Sequence, residues 1–189
     1  MEKLPGDYIA GFVDGEGCFA LKFRRDVRHE RKNKPVYFYW SVEFAICLRV
    51  DDAEILERIQ YTLDCGRISI AKRGLARYAV NRMTDLRGKV IPFFDRYILQ
   101  AKKVHDFKLW KEAVEVIYRN HQEGINRTAG EKGFSKISWN QDDLRKLLEV
   151  HKKMGQYKSR MPGDWKWIEK ALQPGPAVLS DTKQLMCDR

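Results

Sequence analysis

Residues 7–23, DYIAGFVDGEGCFALKF, pass from a helix to a strand with no room for a loop, and this handover limits the folds open to the chain. Pro5 and Gly6 punctuate the start, Asp7 is the expected N-cap, and Tyr8 to about Gly15 reads as a short helix. Phe19, Leu21 and Phe23 then alternate with Ala20, Lys22 and Arg24 in the two-residue period of a strand. Gly11 and Gly15, four residues apart with Ala10 beside them, leave one helix face without bulk, so a second such helix could approach almost backbone to backbone. Asp14 and Glu16 fall at the helix C-terminus, where the macrodipole is already negative; each costs from tenths of a kcal/mol to about 1 kcal/mol there. A bound divalent cation reverses that sign. Mg2+ characteristically takes one or two carboxylates and leaves its other positions to water and phosphate oxygens. The structural alternative is a Gly17 C-cap flanked by two solvated acids.

The rest of the chain repeats the pattern. Residues 36–48 alternate again, with Val42, Phe44, Ile46 and Leu48 on one side and Tyr39, Ser41, Glu43, Ala45 and Cys47 on the other. Asp51 and Glu54 resemble a capping box before a helix carried by Leu56, Ile59 and Leu63, which Gly66 ends. Residues 67–72 and 76–82 read as strands joined at KRG. TDLRGKVIPFFDRY and AKKVHDFKLWKEAVEVIYRNH read as helices, and after a polar connector SWNQDDLRKLLEVHKKMG reads as another, with GDWKWIEKAL the last. The expected fold class is α+β: an αββαββα core with a four-stranded antiparallel sheet, plus a C-terminal helical extension. The expected division is a core at 1–122, a helical extension at 123–173 packed on it, and a flexible tail at 174–189.

Helices on one sheet face leave the other free. The residues assigned to it are Lys22, Arg24, Tyr39, Ser41, Glu43, Arg67, Ser69, Arg73, Arg77 and Asn81: arginines suited to guanine edges, with hydroxyls, an amide and an acid. With 36 Lys and Arg against 26 acids, the net charge of +10 suits a polyanion. Arg28 and Lys32, in the basic stretch RRDVRHERKNKP, are expected to reach flanking phosphates. The four cysteines are scattered without a C-x-x-C pair, which argues for reduced thiols rather than a zinc site or disulfide framework. No run approaches the roughly 20 apolar residues of a membrane span, and MEKLPGDY lacks a signal-peptide core, so a cytoplasmic or organellar-matrix location is expected.

IAGFVDGEG, Ile9 to Gly17, resembles the signature of the LAGLIDADG homing endonucleases, with Glu16 in place of the final Asp. FAICLRVDDAEILERI (44–59) and IPFFDRYILQAKKVHDFKLWKEAVEVI (91–117) also resemble that family's pattern, so the likeness covers about residues 5–120. It implies a metal-dependent endonuclease for long double-stranded DNA sites, with Mg2+ or another divalent cation as cofactor. It further implies Glu16 as the catalytic, metal-binding acid and Gly15 as a carbonyl ligand. Asp14 is assigned to capping or supporting the helix end. A lysine near the start of the long helix assists in that family, and both Lys102 and Lys103 stand there. The polar position that the family's pattern carries at the end of the second strand is Leu48 here, followed by Arg49.

One signature supplies one acid, whereas cutting two strands needs two. The expectation is therefore a symmetric homodimer on a near-palindromic target, with Ala10, Gly11 and Gly15 at the two-fold axis. The alternative on the same scaffold is an intron RNA-splicing maturase, with intron RNA as partner, or a DNA-binding protein that does not cleave.

Overall fold

A computed structural model of the chain describes residues 1–27, 29, 36–125, 141–155, 168, 169 and 172. Helix α1 (Gly6–Glu16) runs straight into strand β1 (Gly17–Val27), and β2 (Val36–Arg49) follows. A single 3-10 turn (Val50–Asp52) leads into α2 (Ala53–Leu63), then β3 (Arg67–Ala71) and β4 (Leu75–Val80). The helices α3 (Met83–Asp85), α4 (Ile91–Arg96), α5 (Lys103–Ile125) and α6 (Gln141–Gly155) complete the described chain. The four strands form the expected antiparallel sheet, in the order β1-β2-β4-β3.

The handover at Gly17 is made by close packing. Gly17 is extended, with φ −74°, so no left-handed cap is involved. A Cβ at Gly17 would stand 2.5 Å from Val13 Cγ1 and 2.8 Å from the Val13 carbonyl oxygen, and Val13 is fully buried. Only glycine lets the strand leave so tightly over the last turn of α1. Gly74, at φ +73°, closes the β3–β4 turn in the conformation that the KRG signal implies.

Three local expectations are corrected. Pro5, not Asp7, stands at the N-cap of α1 without a side-chain cap bond; Asp7 lies inside the first turn, where its charge still suits the macrodipole. The capping box at α2 does not form, because the 3-10 turn displaces the helix start to Ala53 and Asp51 pairs instead with Arg49 at 3.0 Å. The stretch read as one helix at 84–97 is helical without a break over 83–96, but it is not a uniform α-helix. Pro92 cannot donate to the carbonyl of Gly88, four residues back, and Leu86–Val90 widens into a π-type turn before α4.

The contacts divide the chain into two compact units. The first comprises residues 1–21 and 42–114. Its core is aromatic: Phe19 lies 5.2 Å from the ring centroids of Phe44, Phe107 and Trp110, and 5.6 Å from that of Phe94. Ile9 and Val13 of α1, and Leu56 and Ile59 of α2, are buried with them. Tyr78 is buried too, and desolvation pushes its phenol pKa upward; the hydroxyl donates to the Cys65 carbonyl at 3.1 Å.

The second unit comprises residues 22–41 and 115–189. Its described part packs Leu144, Leu147, Val150 and Met154 of α6 out of water, and Trp40 stacks against Phe23 and His151. Asp143 is buried with both oxygens used: one takes Arg119, the other the Asn120 amide at 2.8 Å. Trp165, Trp167 and the tail at 174–189 lie outside the described residues. Among the described residues no helix is long and apolar enough to cross a membrane.

Candidate functional site

The C-terminal end of α1 gathers chemistry from two distant parts of the sequence. Asp14 turns back onto the segment before α5, where one carboxylate oxygen accepts the backbone N–H groups of Gln100 (2.6 Å) and Ala101 (3.1 Å). Its other oxygen is buried with no partner among the described residues. Those two bonds fix where α5 begins, and so where its first residue points. Lys103 is that residue, and its ammonium donates to the carbonyl oxygens of Asp14 (2.7 Å) and Gly15 (2.9 Å). A cation at these carbonyls is what the negative end of a helix favours.

Lys102, one residue earlier, precedes the helix and is exposed, with no side-chain partner among the described residues. Of the two lysines the sequence left open, the fold brings Lys103 to the helix end and turns Lys102 away. Glu16, the last residue of α1, is exposed and unpaired among the described residues, one residue beyond the Gly15 carbonyl.

The small-residue face is redistributed. Gly11 and Gly15 are exposed, and nothing among the described residues lies within 4 Å of where their Cβ atoms would stand. Ala10 is only 4% exposed and packs inward within its own chain, so it does not share the open face with the glycines. Tyr8 and Phe12 do share it: Tyr8 is 48% exposed and its ring stacks on Phe12 at 6.3 Å. The four residues follow the i, i+3, i+4, i+7 spacing of one helix face. The sequence reading missed the aromatic pair, although that spacing was visible.

Cross-strand register defines the open sheet face of the first unit. Cys47, Arg77 and Ser69 stand in one row across β2, β4 and β3, and Ala45, Ala79 and Arg67 form the next. Arg67 and Ser69 are exposed, and Arg77 is half-buried because its guanidinium lies between Cys47 Sγ (3.2 Å) and the Glu43 carboxylate. Arg49, not among the expected residues, lies on the same side, exposed and ion-paired with Asp51. Two placements differ from expectation. Arg73 is in the β3–β4 turn and Asn81 lies just past β4, so both are exposed at strand ends and not on the ladder. In the second unit Lys22, Arg24, Tyr39 and Ser41 lie on β1 and β2, with Arg24 and Tyr39 exposed and Lys22 and Ser41 partly so. Arg28 and Lys32 lie outside the described residues.

Among the described residues no three His, Cys, Asp or Glu side chains cluster as a metal cage. The donors at the end of α1 still fit a hard cation. They are oxygens only, two of them carbonyls that already attract an ammonium, beside one exposed carboxylate and one orphaned carboxylate oxygen. The set is too small to satisfy an ion alone, which leaves positions for water and phosphate.

The probable intron-encoded DNA endonuclease 1 of Mycosarcoma maydis is 36% identical over 91 residues, covering 48% of this chain and 30% of that protein. The chain thus spans under a third of the length of that curated relative. Among solved structures, the homing endonuclease I-TnaI superimposes with a TM-score of 0.69 at 22% identity, covering 91% of this chain and 100% of its own. The enzyme I-SmaMI, bound to uncleaved DNA in the presence of calcium ions, superimposes with a TM-score of 0.66 at 19% identity, over 92% of this chain and 51% of its own. At those identities the likeness is one of fold. The family model described as LAGLIDADG endonuclease matches residues 9–114, from within α1 to well into α5, and so takes in the handover, the sheet and Lys103 together. The chain belongs to the LAGLIDADG endonuclease family.

Proposed function

We propose that this chain is a homing endonuclease that cleaves a long, near-palindromic double-stranded DNA site as a homodimer, using Mg2+ or another divalent ion. The observation that carries this reading is the end of α1, where Glu16, exposed and without a partner among the described residues, stands next to a Gly15 carbonyl already holding the Lys103 ammonium. A protein that only bound nucleic acid would have no use for an uncompensated acid on a surface facing phosphates.

Glu16 and the Gly15 carbonyl would hold the metal. When bound, the ion supplies positive charge to the phosphate and makes water acidic enough to attack it. Lys103 is held at the same helix end by two backbone carbonyls, and is placed to shift onto a phosphate oxygen. Asp14 is the support for this arrangement: by holding Gln100 and Ala101 it positions the first turn of α5. The sheet residues Arg67, Ser69 and Arg77 are the base readers of the first unit, and Lys22, Arg24, Tyr39 and Ser41 those of the second.

The homodimer is supported by the open face of α1. Gly11 and Gly15 allow close approach, Tyr8 and Phe12 supply apolar area, and one protomer offers one acid.

The test is cleavage of a randomised double-stranded DNA library with Mg2+, read by sequencing the cut ends. Glu16→Gln should abolish cleavage while keeping sequence-specific binding within about tenfold. Lys103→Met should lose cleavage as well, whereas Lys102→Met should cut near the wild-type rate. Wild-type cutting by Glu16→Gln would remove the site assignment, and equal loss in the two lysine variants would remove the distinction between them.

A further inference from the structure

Glu43 is an acid on the surface assigned to a polyanion, and its placement gives it a task of its own. It sits on β2 two residues before Ala45 and four before Cys47, on the same sheet side. Arg77 stands directly opposite Cys47 on β4. From there its guanidinium reaches along β2, one nitrogen toward Cys47 Sγ at 3.2 Å and the other on the Glu43 carboxylate. The fork therefore passes beside Ala45, which is only 2% exposed although it lies on this face. The Glu43 side chain is 14% exposed and that of Arg77 38% exposed, so the acid is the inner member and the arginine the outer one.

We infer that Glu43 is a positioning residue for specificity: it fixes the Arg77 fork for a base edge and withholds it from the phosphate backbone. The inference rests on the proposed DNA-reading role of the sheet. A free arginine on such a surface would swing to the nearest phosphate, which gives affinity without sequence information. An arginine neutralised and held by a partly buried carboxylate loses that generic grip, and its planar fork is fixed in one orientation. A bidentate contact to a guanine edge needs that fixed geometry. Glu43 thus lowers affinity for arbitrary DNA and sharpens preference for the right one. This opposition separates the role from a merely structural one, which would weaken both together.

The test measures binding of the full chain to a randomised double-stranded DNA library in EDTA, with sequencing of the bound fraction, beside its affinity for one arbitrary duplex. Arg77→Ala should flatten the preference at one symmetric pair of positions, by roughly fivefold to a hundredfold. Glu43→Gln should flatten the same positions while binding the arbitrary duplex more tightly, by about twofold to tenfold, since one negative charge has left a surface facing phosphates. Glu43→Asp, which keeps the charge but shortens the reach, should flatten those positions without the gain. It also covers the case of a Glu43→Gln chain that does not fold. The double variant Glu43→Gln with Arg77→Ala should show the same preference as Arg77→Ala alone. Unchanged preference in both Glu43 variants, or loss at a different pair of positions, would overturn the inference and leave the sheet's reading role standing. A wild-type chain that selects no sequence would overturn that role, and the inference with it.

Discussion

Two acids in different parts of this molecule are treated in opposite ways. Asp143, in the second unit, is 7% exposed, with one carboxylate oxygen on Arg119 and the other on Asn120. Glu16, at the end of α1 in the first unit, is exposed and has no partner among the described residues, although Lys103 is bound to the neighbouring carbonyl. A carboxylate buried with each oxygen already bonded to the protein is held away from a ligand, and its removal is felt as lost stability. A carboxylate held at a negative helix end without compensation contributes nothing to folding, and its place is explained by what comes to it. The state of satisfaction, not the presence of an acid beside a base, separates a structural pin from a site.

The largest stability effect that sharpens this contrast is at Asp143. Asp143→Ala leaves the Asn120 amide, 2% exposed, with only the Val116 carbonyl, and strips Arg119 of its partner. The expected loss is about 2–3 kcal/mol, below the figure for a fully buried pair because the Arg119 side chain is 57% exposed. Glu16→Gln should melt at the wild-type temperature or slightly above. Thermal unfolding of the two variants side by side checks both, and a destabilised Glu16→Gln would make Glu16 a structural residue.

Next comes a pair of glycines within α1 and its exit. Gly17→Ala drives a methyl into buried Val13 and should cost about 1–3 kcal/mol in the protomer. A Cβ at Gly11 has nothing within 4 Å among the described residues, so the chain should remain folded in Gly11→Leu. Its four added carbons instead fall on the proposed two-fold face, where overpacking costs about 1–3 kcal/mol at each copy. Sedimentation should show dissociation for Gly11→Leu alone. An intact, active dimer would take the open face of α1 out of the interface.

Much of this was legible before the structure, and the remainder was not for physical reasons. Alternation at Phe19–Phe23 and Val42–Leu48 and the turn at Gly74 carry the sheet, because a period of two and a left-handed turn leave local marks. That Gly15 and Glu16 stand at the end of α1 was legible through the motif. The choice between Lys102 and Lys103 was not, since it depends on where α5 starts. That start is set by Asp14 accepting two backbone N–H groups 86 and 87 residues away, and a backbone amide leaves no trace in composition or spacing. The inward turn of Ala10 and the reach of Arg77 to Glu43 likewise depend on packing and register.

The smallest predicted effect places a third acid between the two extremes. Asp64 ends α2 in the left-handed conformation, φ 51°, and pairs with Lys89 at 2.7 Å, which also donates to the Asp64 backbone carbonyl. The Lys89 hydrogen bond and charge hold the Asp64 carboxyl below its ordinary pKa, and the same bond holds Lys89 above its own. For a carboxylate depressed in the folded chain, the stabilisation is present above the unfolded value of about 3.9 and is lost as pH falls through the folded one. For an ammonium raised in the folded chain, it is present below about 10.4 and is lost as pH rises through the folded value. The pair should thus contribute across the broad neutral window and vanish at both ends. With the Asp64 side chain 85% exposed, the contribution within that window is small, because water already satisfies both partners. Lys89→Met should therefore lower the melting temperature only slightly near pH 7, and the difference from wild type should close as the pH falls below about 4. A drop as large as that of Asp143→Ala would mean that pairing alone, without burial, fixes an acid's structural worth. Glu16 would then have to be explained by something other than its lack of a partner.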